Sequence, residues 1–70
     1  MMTAKAFDAL KPGDVTFAPG LFKGLCADRI ELRCASHQGN LAEFVVIYMS
    51  ITLGKWACVK LNTGDLKWRV

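Results

Sequence analysis

Six consecutive residues, Arg29-Ile30-Glu31-Leu32-Arg33-Cys34, alternate charged and apolar without a break. A β-strand sends successive side chains to opposite faces, so the stretch puts Ile30, Leu32 and Cys34 on one side and Arg29, Glu31 and Arg33 on the other. A helix would scatter the same residues around its surface. The chain is therefore committed to a sheet with one dry face and one wet face, and its other segments must supply the partner strands.

Turn residues divide much of the sequence into pieces of strand length. Asp14-Val15-Thr16-Phe17-Ala18 alternates between Pro12-Gly13 and Pro19-Gly20, the pattern of a first strand. Leu21 to Ala27 reads as loop. After the alternating strand, His37-Gln38-Gly39-Asn40 supplies turn chemistry, with His37 expected to face solvent. The chain then returns through Phe44-Val45-Val46-Ile47-Tyr48-Met49-Ser50-Ile51, rich in β-branched and aromatic residues. A last hairpin runs from Trp56 to Leu61, turns at Asn62-Thr63-Gly64-Asp65 and closes with Leu66 to Val70. Its expected register sets Leu61 against Leu66, Lys60 against Lys67, Val59 against Trp68 and Cys58 against Arg69. Ahead of the sheet, Thr3 to Leu10 holds helix formers behind a capping threonine and stops before Lys11-Pro12. Two turns of helix cannot persist alone in water, so Phe7 and Leu10 are expected to dock on the sheet.

The expected fold is mainly β: a small five-stranded antiparallel barrel with a short N-terminal helix. One domain spans residues 1–70, with the helix over 3–10 and the barrel over 14–70. The phrases Lys11-Pro12-Gly13-Asp14-Val15 and Val59-Lys60-Leu61-Asn62-Thr63-Gly64 resemble those of SH3-like barrels at the level of fold, and an OB-like barrel is the related alternative. The resemblance carries no functional residue.

Composition bears on association. Of 70 residues, 42 are glycine or apolar residues other than tyrosine, a share of 60% against about 45–50% in ordinary globular domains. So small a domain cannot bury that much apolar surface internally, which points to a homo-oligomer or another protein partner. Strand 44–51 is apolar on both faces, so a cover is expected on its outer side, shared between the helix and a second copy. The candidate interface is Phe44, Val46, Tyr48 and Met49 with Leu21 and Phe22. The longest uncharged run, Phe44 to Gly54, is eleven residues, about half of a membrane-spanning helix. Three unpaired-looking cysteines and no secretory pattern at Met1 to Leu10 set the expectation of a reduced, cytoplasmic protein away from membranes.

All of the net charge of +3 lies in residues 55–70, where Lys55, Lys60, Lys67 and Arg69 stand against Asp65. Both tryptophans lie there too. In the expected register Trp56, Cys58, Lys60, Lys67 and Arg69 share the wet face. This makes single-stranded nucleic acid the first candidate ligand, with lysines on phosphates, Trp56 stacking on a base, and Arg29 and Arg33 extending the patch. Solvation of an edge hairpin explains the same lysines more simply. A protein-interaction or adaptor module using the apolar surface around 44–53 is the competing function. A Cys26, Cys34, His37 and Cys58 metal site is conceivable, but the spacing lacks paired knuckles and buried cysteine is ordinarily a small apolar filler. Neither a cofactor motif nor a catalytic triad or carboxylate pair occurs, which favours a non-enzymatic role.

Overall fold

A computed structural model describes residues 3–17, 30–61 and 66–69. The elements are α1 (Ala4–Asp8), β1 (Val15–Phe17), β2 (Ile30–Gln38), β3 (Leu41–Tyr48), β4 (Ile51–Lys60) and β5 (Leu66–Arg69). The five strands pair antiparallel in the order β1-β2-β3-β4-β5, each with its neighbour in sequence, and the sheet curls into a half-barrel. Among the described residues no helix is long and apolar enough to cross a membrane.

Three turns shape the sheet. In Lys11-Pro12-Gly13-Asp14, proline presets the second position and Gly13, at φ +97°, takes the left-handed third, the geometry of a type II turn. The Asp14 carboxylate accepts the Lys11 N–H at 2.9 Å and fixes the turn before β1 begins. Gly39, at φ +56°, opens the two-residue loop between Gln38 and Leu41. The third turn is Met49-Ser50, with φ of 51° and 66° and no glycine at either position. It divides the single long strand expected over 44–51, so β3 ends at Tyr48 and Ile51 already belongs to β4.

The inner face carries the core. Ile30, Leu32 and Cys34 of β2 are buried as their alternation requires, beside Ala42, Phe44 and Val46 of β3 and Trp56 and Cys58 of β4. The helix closes this face from above. Thr3 Oγ1 accepts the Ala6 N–H at 3.1 Å, capping α1 as expected, and Phe7 is fully buried. Phe7 meets the His37 ring edge-on at a centroid distance of 4.9 Å.

In β1, Thr16 is half-buried, and Val15 and Phe17 are exposed. With the divided strand, four expectations are corrected. His37 is no solvent-facing turn residue, since β2 runs on to Gln38 and the imidazole lies under the helix. Phe44 and Val46 are core, not surface. The fourth correction is the register of the last hairpin, which pairs Ala57 with Arg69, Cys58 with Trp68, Val59 with Lys67 and Lys60 with Leu66, one residue away from expectation. The shift turns Trp56 and Cys58 inward. Its physical reason is the indole: turned inward, Trp56 stacks on Trp68, and burying an aromatic side chain removes about 150–250 Å² from water. The turn residues 62–65 lie outside the described residues, as does the 21–27 loop.

The outward face of β3 needs no single cover. Val45 stands in a row between Arg33 and Lys55, and Ile47 between Glu31 and Thr52. Charged and polar neighbours thus interrupt its apolar residues, a known protection against sheet stacking.

Candidate interaction surface

The C-terminal hairpin does not assemble the expected basic and aromatic face. Trp56 is buried and stacks on Trp68 with centroids 4.3 Å apart and planes 17° from parallel, while Phe44 packs on the same Trp68 at 5.7 Å. Lys60 points to the inner side, where Nζ donates to both carboxylate oxygens of Asp8 at 2.6 and 2.5 Å and ties the end of β4 to the helix. Lys67 is exposed and, being opposite Val59, lies on the other face of the sheet. Arg69 pairs with Ala57 in the register of the two strands. Arg33 is also outward and lies 3.4 Å from Glu31, an exposed pair of small energetic worth. Arg29 lies outside the described residues.

The metal candidates separate in the same way. Among the described residues no group of three histidine, cysteine, aspartate or glutamate side chains converges on a point. Burial pushes the Cys58 thiol from its ordinary 9.0 up to about 11. Burial, reinforced by the Asp14 charge, raises Cys34, while a hydrogen bond with the Ser36 backbone opposes the shift. Both are protonated fillers rather than thiolate ligands at neutral pH. His37 has its ring nitrogens 3.0 Å from the Leu10 carbonyl oxygen and 3.2 Å from that of Gly39, so the imidazole is occupied in holding the helix end to β2. Cys26 is outside the described residues.

What the structure does gather is apolar surface at one end of the sheet. Met49 is 62% exposed, Ile51 64%, Leu53 48% and Phe17 55%. The first three surround the β3–β4 turn; Phe17 closes β1 in the register row of Glu31, Ile47 and Thr52. Of the expected interface, Met49 is here, Tyr48 is half-buried against the core, and Leu21 and Phe22 lie outside the described residues. Phe17 was not singled out from the sequence, and Ile51 and Leu53 entered only as part of the apolar surface around 44–53. Ser50 and Thr52, polar residues within a long apolar run, are the signal that could have located the turn beside them.

Next to this end β4 is irregular. Leu53 is the extra residue of a bulge between the Val46–Gly54 and Ile47–Thr52 pairs, and Gly54 adopts φ +150°, open to glycine and strained for other residues. β4 is ten residues long, and among the described residues β5 pairs with Ala57 to Lys60. A hollow of about 160 Å³ is lined by Glu43, Lys55, Trp56 and Ala57.

No protein-family model, curated protein or solved structure matches the chain.

Proposed function

We propose that this chain is a small non-enzymatic binding module of the SH3-like or OB-like kind, which engages a protein partner through the apolar end formed by Met49, Ile51, Leu53 and Phe17. The observation that carries the reading is the β3–β4 turn. It presents three large apolar side chains to water on a backbone that holds two non-glycine residues at positive φ. Such strain costs on the order of 1 kcal/mol per residue and is concentrated at sites of function. Asn-Gly would make the same turn more easily. A methionine at the tip is thus better accounted for by contact than by folding.

The nucleic-acid reading has less support. Its stacking residue is in the core, and one of its lysines is held by Asp8. The outer face still carries Arg33, Lys55 and Lys67, but Glu31 and Glu43 lie among them.

The test is a double substitution, Ile51→Asp with Leu53→Asp, both at exposed positions. Peptides selected against the wild-type chain from an unbiased displayed library should lose at least roughly tenfold in affinity, worth about 1.4 kcal/mol, while the far-ultraviolet circular dichroism is unchanged. Selected peptides that bind the double variant equally well would refute the reading.

A further inference from the structure

We infer that Met49 is an oxidation-sensitive switch of the apolar end: a hydroperoxide converts its thioether to the sulfoxide, and the modified chain releases the protein partner. The inference rests on the apolar end being an interaction surface and adds its regulation. Three sulfur-bearing residues lie among the described ones, and their surroundings divide them. Met49 is 62% exposed, whereas Cys34 is 2% and Cys58 0%. A thiol attacks peroxide as its thiolate, and burial holds both cysteines in the protonated form at neutral pH. A thioether has no proton to lose, so access governs its oxidation. Met49 is therefore the sulfur that a dissolved oxidant reaches first among the described residues.

The backbone holds the thioether at the tip. Tyr48 pairs with Ile51, which leaves Met49 and Ser50 as a two-residue loop with both residues at positive φ. The turn is shared with Ile51 and Leu53, 64% and 48% exposed, so the sulfur belongs to the apolar surface rather than to an isolated side chain. In the reaction Sδ attacks one peroxide oxygen; an S–O bond forms as the O–O bond breaks. The hydroxide that leaves takes the proton from the oxygen retained on sulfur and departs as water. Sulfur loses two electrons and the peroxide gains them. The product carries a polar acceptor oxygen where an apolar group stood. Water solvates that oxygen in the free chain, whereas an apolar partner would bury it without a donor, so association is opposed. The coupling is reciprocal: a partner seated over Met49 slows its oxidation.

The experiment treats the full chain with hydrogen peroxide at neutral pH, maps added oxygen residue by residue by mass spectrometry, removes the peroxide, and titrates the chain with sulfur-free peptides selected against the untreated protein. Oxygen should appear on Met49 before Cys34 or Cys58, with the far-ultraviolet circular dichroism unchanged. Peptide affinity should then fall roughly tenfold or more and return after treatment with methionine sulfoxide reductases. Saturating peptide, present during the peroxide step, should slow oxidation of Met49. In Met49→Leu, whatever its starting affinity, peroxide should cause no further loss. Oxidation of Cys34 or Cys58 ahead of Met49, unfolding on oxidation, equal affinity of the oxidised and reduced chains, or a peroxide-induced loss as large in Met49→Leu as in wild type overturns the inference. If oxidised Met49 leaves binding intact while Ile51→Asp with Leu53→Asp abolishes it, the switch falls and the broader surface reading stands.

Discussion

Cys58 shows how burial alone sets the chemistry of a side chain here. Its thiol is fully buried and held at a pKa of about 11 rather than 9.0 because the ionised form would have to leave water. Below pH 9 the thiol is neutral in both the folded and unfolded chain and contributes no pH dependence. Between 9 and 11 the unfolded chain ionises first, so stability falls as pH rises through that window. Denaturant titrations at pH 8 and pH 10.5 should show the midpoint dropping in wild type and dropping less in Cys58→Ala. An equal drop in both would remove Cys58 as a cause. Trp56 illustrates the same principle with an aromatic: its place in a basic segment suggested a wet indole, yet stacking on Trp68 and burial outweigh that neighbourhood.

The β3–β4 hairpin is where local preference and observed conformation disagree most. Two-residue hairpin loops with positive φ at both positions favour Asn-Gly, and this loop is Met49-Ser50. Met49→Asn with Ser50→Gly should therefore stabilise the fold by about 1 kcal/mol, read as a higher midpoint in chemical denaturation. The same change should weaken ligand binding at this end, the trade expected of a strained contact site. A midpoint that stays put or falls would show that the turn is not strained. The turn ahead of β1 and the β2–β3 hairpin were readable in advance because their turns obey the usual chemistry: Gly13 and Gly39 stand where positive φ is required. Met49-Ser50 was harder to read, since Ser50 and Thr52 are the polar interruptions of an otherwise apolar, β-prone run and neither glycine nor asparagine marks the reversal.

At the scale of the whole molecule, the described residues form one curled sheet stoppered by a five-residue helix. Phe7 is the stopper, completely buried and in contact with His37, and the Asp8–Lys60 pair holds the helix in register with the end of β4. Phe→Ala in a core typically costs about 3–5 kcal/mol, against a total of roughly 5–15 kcal/mol for a domain and the lower end for one this small. Phe7→Ala should therefore remove most of the cooperative thermal transition. A loss below about 1 kcal/mol would mean that the sheet stands without its helix.

The alternation at residues 29–34, the Thr3 cap and the turn glycines determined that this chain forms an antiparallel sheet with a docked helix, because period and turn chemistry are local properties that each segment carries with it. Which face of the last hairpin is dry was a different kind of question. Both registers satisfy the alternation, and a slip of one residue exchanges the faces entirely; the choice fell to whichever arrangement buries two indoles against Phe44. The fate of Lys60 followed from that choice, and so did the dispersal of the basic patch.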